Sequence, residues 1–165
     1  WHREYNRIID RFQSTVVGQF LGHTHRDQFY VYYSPRTYEP VSVAWNGGSV
    51  TPFTNVNPNY RIYTVNKLTL EVEDFDTYTY NLTEANQTPD SPPRWIKLYS
   101  FKEAYDVPSL RPRDIDLLAK KMSNDDQLFN KYFLYYMKNS DIAFVKGCDK
   151  HCREKQLCKV VAAPT

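Results

Sequence analysis

A chain of 165 residues, 41% hydrophobic and 24% charged, is long enough for one domain with a real core and has the composition of an ordinary globular protein. A net charge of +2 points to no particular partner, no block of lysine and arginine marks a groove for a nucleic-acid polymer, and no apolar run reaches the ~18 residues that a membrane span requires. The aromatic share of 16%, with 14 tyrosines, predicts amphipathic rings in the core and along its edges. The sequence starts at Trp1 without a charged-then-apolar leader, from which a processed or excised piece is expected.

Taken in order, the chain reads as a β-rich first half and a helical second half without internal repeats. Trp1, Tyr5, Ile8, Ile9 and Phe12 recur at helical spacing, which predicts a helix from Trp1 to Arg11 lying over a sheet. Thr15 to Leu21 reads as a strand whose VVGQFL run is buried, and Gln28 to Tyr33 as a second strand stopped at Ser34-Pro35. Val41 to Trp45 is the return strand of a hairpin. Asn46-Gly47-Gly48 breaks that pattern, and Thr51 to Pro58, with two prolines, is expected to loop back near the histidines discussed below. Arg61 to Val65, Leu68 to Val72 and Thr77 to Leu82 alternate as neighbouring antiparallel strands.

Beyond Thr83 the period changes. Pro89, Pro92 and Pro93 mark a linker, and helices are expected from Trp95 to Tyr105, Arg113 to Met122 and Asp125 to Met137. Asp114 and Asp125 stand near the starts of the last two, where a carboxylate meets the positive end of the helix dipole. Phe129, Tyr132, Phe133, Tyr135 and Tyr136 place rings on nearly all sides of the third, which predicts burial between layers rather than a lipid-facing surface.

The chemistry concentrates in Val16 to Asp27, VVGQFLGHTHRD, which delivers two histidines one residue apart. In an extended segment residues i and i+2 share a side, so His23 and His25 would aim both imidazoles at one point, with Gly22 allowing a tight turn and a close approach by an ion. Imidazole is the commonest protein ligand for zinc-like metals, although a lone His-x-His also occurs on solvated strands. A site at the carboxyl end of a buried strand favours the metal reading. Asp27 could orient a ligand imidazole or cap the turn.

Asn81-Leu82-Thr83 and Asn86-Gln87-Thr88 are both N-glycosylation acceptors, at Asn81 and Asn86, in a polar stretch expected to be exposed. With the late clustered cysteines they favour the secretory route over an intracellular chain with accidental sequons. Cys148, His151, Cys152 and Cys158 could be written as a Cys3His zinc site. The segment around them reads as a helix, however, which puts the Cα atoms of Cys148 and Cys152 about 6 Å apart and makes a disulfide the better reading. Cys158 is then left over.

These residues carry a resemblance. GQFLGHTHRDQF, then Asn57-Pro58-Asn59-Tyr60-Arg61, then YNLTEAN from Tyr80 to Asn86, then Cys148, Cys152 and Cys158, resemble the carboxyl-terminal part of the acid sphingomyelinases and sphingomyelinase-like phosphodiesterases over nearly the whole chain. GHTH alone is shared across the calcineurin-like metallophosphoesterases. The later motifs and their order are what narrow the match. Asn59 stands where such proteins commonly carry glycine, and asparagine is among the residues that tolerate the positive φ expected of that turn.

The resemblance implies an α+β fold in which residues 1–82 are the carboxyl-terminal part of a four-layered metallophosphoesterase catalytic domain, a βαβ-type sandwich, and residues 83–165 a mostly helical carboxyl-terminal region. It implies two zinc ions, His23 serving one and His25 the other, with the remaining ligands and a saposin domain in a missing amino-terminal part of the same enzyme. The implied activity is hydrolysis of sphingomyelin to ceramide and phosphocholine by a metal-bridging hydroxide, in a lysosomal or secreted enzyme, with contact to a membrane-surface lipid. The alternatives are a relative acting on nucleotides and a non-catalytic cleavage product that binds lipid or protein. In the family the next cysteine pairs further downstream, so Cys158 is expected to be free or mispaired, and the chain by itself is expected to be inactive.

Overall fold

A computed structural model describes residues 2–161. α1 (His2–Arg11) packs Ile9 against Tyr30, Tyr32 and Ala44, so it covers a sheet as expected, while Tyr5, Ile8 and Phe12 of the same stripe stay exposed. Trp1, the first position of that stripe, lies outside the described residues. The strand expected from Thr15 starts only at Gln19, because Thr15 and Val16 still donate to the carbonyl of Phe12 and prolong the end of the helix. β1 is therefore Gln19–Leu21, and it is not the buried strand its apolar run suggested: Gln19 is buried and Phe20 is 56% exposed.

β2 (Gln28–Tyr33) and β3 (Pro40–Asn46) form the expected antiparallel hairpin, and β1 adds to β3 in parallel, giving the order β1-β3-β2. Alternate residues go to opposite faces. Phe29, Val31, Val43 and Trp45 enter the main core, while Tyr30, Tyr32 and Ala44 lie beneath α1. Cover on both faces is why the FYVYY run shows no apolar-polar alternation.

A second sheet holds β4 (Asn59–Val65), β5 (Val72–Thr79) and β6 (Ile96–Ser100), all antiparallel in that order. Three expectations change here. Leu68 to Val72 is largely the β4–β5 turn, in which the Asn66 side chain accepts from the N–H groups of Leu68 and Thr69, with Leu68 and Leu70 exposed. Thr77 to Leu82 is the end of β5, after which Asn81 accepts from Glu84 N and caps the helix α2 (Leu82–Gln87). Trp95 to Tyr105 divides into β6 and the short helix α3 (Phe101–Tyr105). The helical i, i+4 spacing of Phe101 and Tyr105 is real, but the residues before it pair with β5 through Thr77↔Tyr99 and Asp76↔Ser100.

α4 (Pro112–Asn124) and α5 (Asp126–Tyr136) match their expected spans closely, and Asp125 accepts from Leu128 N as the cap of α5. α6 (Asp141–Lys146) was not expected, and α7 (Lys150–Val161) carries the late cysteines. The result is an α+β fold with two small sheets. Its main core is aromatic: the Trp45 ring lies 5.4 Å from Phe75 and 5.2 Å from Phe101, and Phe29 lies 5.7 Å from both Phe101 and Tyr132. Such pairs contribute about 0.5–1.5 kcal/mol each beyond their area. Phe129 and Tyr132 of α5 are fully buried in it, so that helix is a core element.

Candidate functional site

Residues 22–27 link β1 to β2, and both strands end on the same residue of β3: Leu21 and Gln28 are each in register with Asn46. The histidines are not extended. His23 has φ 80° and His25 φ 59°, both in the left-handed region, so a tight loop rather than a strand carries them. It is His23 and not Gly22 that takes the unusual conformation, and a Cβ on Gly22 would meet open space. Left-handed backbone costs a residue with a Cβ roughly 1–2 kcal/mol, and such residues persist where their surroundings over-determine them, often at functional sites.

Three groups hold the loop. Asn46 Nδ2 donates to Thr24 Oγ1 at 2.8 Å and to the Arg26 carbonyl at 2.6 Å. His25 Nδ1 lies 2.9 Å from the Phe53 carbonyl, which can only accept, so Nδ1 is the donor nitrogen and Nε2 is the nitrogen not engaged by this bond. Arg26 Nη2 donates to Thr54 Oγ1 at 3.3 Å. The loop expected from Thr51 to Pro58 does therefore wrap against the histidines. Metal-binding imidazoles typically donate their second nitrogen to a carbonyl or carboxylate in this way. His23 is exposed and His25 half-buried.

Asp27 turns out to be committed elsewhere. Its N–H donates to the Tyr136 carbonyl at 3.3 Å, and its carboxylate pairs with Arg61 of β4 while accepting from Tyr99 OH at 2.9 and 2.8 Å and from Thr77 Oγ1 at 3.5 Å. The backbone bond goes to the end of α5 and the carboxylate's bonds go to the second sheet, not to an imidazole or the turn. Burial pushes the Asp27 carboxyl above the usual carboxylate range, against the pull of Arg61 and Tyr99. The sequence marks neither Tyr99 nor Asn46 as a site residue, and Arg61 only as the end of the Asn57–Arg61 motif; a further signal is that this arginine occupies a position of β4 whose alternation faces inward.

The remaining expected residues are scattered. Asn81 and Asn86 are both exposed on or beside α2. Cys148 and Cys152 form a disulfide with Cα atoms 5.3 Å apart, although Cys148 precedes α7 instead of lying in it. The disulfide removes both as thiolate ligands of a Cys3His site. Cys158 is free and exposed, and His151 is exposed. Asn59 does not occupy a left-handed turn; it starts β4, is 1% exposed, and its side chain fills the space that a Cβ on Gly48 would need. Among the described residues no three or more His, Cys, Asp or Glu side chains converge as a metal site.

Residues 39–163 match the family described as the acid sphingomyelin phosphodiesterase C-terminal region. The chain belongs to that family. The sphingomyelin phosphodiesterases of Bos taurus and Homo sapiens are 37% and 35% identical over 99% of the chain. The chain spans about a quarter of the length of these relatives, 26% of each. The cyclic GMP-AMP phosphodiesterase SMPDL3A of Mus musculus is 32% identical over 93% of the chain and 35% of its own length. The match to the acid sphingomyelin phosphodiesterase C-terminal region begins at the turn before β3, whereas the alignments with whole relatives extend across the histidine loop.

Proposed function

We propose that the chain is the carboxyl-terminal part of a zinc-dependent phosphodiesterase which, when complete, hydrolyses sphingomyelin to ceramide and phosphocholine. One observation carries this reading: in a chain of this family, two histidines are held left-handed in one loop, and the Nδ1 of one is tied to a backbone carbonyl. On this reading residues 1–82 complete a four-layered metallophosphoesterase domain and residues 83–165 form the carboxyl-terminal region. His23 and His25 fit as part of a donor set, one histidine for each of two zinc ions. A catalytic zinc takes about three protein ligands, so the others come from a part of the enzyme outside this chain, and residues 1–165 alone have no turnover.

Bound zinc would supply Lewis acidity toward a phosphodiester and lower the pKa of an attacking water. What these residues contribute is orientation: the Phe53 carbonyl sets the His25 tautomer, and the bond from Arg26 to Thr54 fastens the loop against residues 51–58. The exposed sequons Asn81 and Asn86 and the disulfide support a lysosomal or secreted enzyme that meets its lipid at a membrane surface.

In the complete enzyme, His23→Ala and His25→Ala should each lower zinc content and abolish sphingomyelin hydrolysis; undiminished zinc in both variants would overturn the reading. The second reading, a nucleotide phosphodiester as substrate, is favoured by the relative named as a cyclic GMP-AMP phosphodiesterase. Turnover of sphingomyelin micelles against that of a cyclic dinucleotide separates the two.

A further inference from the structure

We propose that Asn46 is the positioning residue of the histidine loop, setting the backbone from which His23 and His25 project. For its functional half the inference rests on the zinc reading above. The loop leaves β1 after Leu21 and enters β2 at Gln28, and both of those residues are in register with Asn46, so this asparagine stands at the mouth of the loop. It is 1% exposed. Its amide nitrogen has two protons and two close acceptors, Thr24 Oγ1 at 2.8 Å and the Arg26 carbonyl at 2.6 Å, with the Gly47 carbonyl further away at 3.4 Å.

Those two acceptors bracket the chemistry. Thr24 lies between the two histidines, and Arg26 directly follows His25. Thr24 is pinned further by its N–H to the Gly22 carbonyl at 3.1 Å, and Thr24 Oγ1 also accepts from Arg26 N at 3.3 Å. One amide group therefore fixes the residues on either side of His25 and the residue after His23. Two left-handed residues carrying a Cβ, one on each side of Thr24, would relax toward ordinary backbone without such a constraint. An aliphatic side chain at position 46 would fill the space but offer no donor, leaving the Arg26 carbonyl without this partner.

The test uses the complete enzyme with Asn46→Leu and, separately, Thr24→Val, whose exposed position spares the fold. In metal-free protein, amide hydrogen exchange across residues 23–26 should accelerate about 10-fold in Asn46→Leu, while Val31 and Val43 amides in the hairpin keep their protection. Zinc retention against a competing chelator should fall roughly 10–100-fold, the range for removing an outer partner of metal ligands, with kcat falling and KM little changed. Thr24→Val should move exchange and zinc retention the same way, by less. Parental loop exchange and zinc retention in Asn46→Leu would overturn the proposal, and if that variant does not fold, the same result in Thr24→Val does so. Should His23→Ala and His25→Ala keep their zinc, the metal reading falls, and the exchange data still decide whether Asn46 holds the loop.

Discussion

Asp27, two residues beyond His25, is ion-paired with Arg61 of β4, and their side chains are only 4% and 3% exposed. This pair ties the exit of the histidine loop to the second sheet. The guanidinium also lies 4.1 Å above the Phe75 ring, at the centre of the aromatic core. A buried pair adds little stability over apolar replacements of similar volume, but removing one partner strands the other. Arg61→Met in the complete enzyme should therefore lower the unfolding free energy by about 3–5 kcal/mol. Adding Asp27→Asn should recover much of that loss, as urea denaturation of the single and double variants will show. Additive losses in the double variant would mean that the pair is not coupled.

Lys138 makes a prediction about pH. It is fully buried at the end of α5, donates from Nζ to the Ser49 carbonyl at 3.1 Å, and is held down to about 8 by burial and by Arg26, against the pull of Asp27. Between about 8 and the ordinary lysine value of 10.5 the unfolded chain binds more protons than the folded one at this site. Its contribution to stability is thus fully present above 10.5 and lost as pH falls through about 8. Unfolding free energies measured on both sides of this window should rise with pH in the parent relative to Lys138→Met. A constant difference between parent and variant would refute the assignment.

Gly48 and Asn59 should behave as a pair. A Cβ at position 48 would collide with the buried Asn59 amide, so Gly48→Ala should destabilise by about 1–3 kcal/mol, as overpacking does. Asn59→Gly in the same chain removes the obstacle. Thermal melts of the two single variants and the double variant test this, with the double expected to melt above Gly48→Ala.

The cysteines separate into one bonded pair and one free thiol. Non-reducing peptide mapping should link Cys148 to Cys152, and alkylation without reductant should label Cys158. Replacing the bonded pair with alanines should cost about 2 kcal/mol, near the low end for disulfides because the closed loop is short. Cys158→Ser should leave the melting temperature unchanged.

Much was legible from local pattern. The strand Gln28 to Tyr33, its partner ending at Trp45, and the helices α4 and α5 follow from apolar period, turn residues and caps, which act within a few residues along the chain. The His-x-His motif, the sequons and the Cys148–Cys152 pair are likewise properties of short segments. Ile96 to Ser100 was not legible, because a segment with mixed periodicity takes its state from its neighbour, and β5 offers an open edge to pair with.

The histidine loop shows the same division. Residue types and spacing in GHTH mark the position only as a candidate, since donor chemistry is carried by the side chains themselves. Its conformation was a tertiary matter. An i, i+2 pair points one way only in extended backbone, and here contacts from 20 to 28 residues away in sequence, Asn46 to Arg26 and Phe53 to His25, hold both histidines left-handed. Asp27 was decided at still longer range, 34 residues from Arg61 and 72 from Tyr99, where a buried carboxylate needs a cation and donors that local pattern cannot supply.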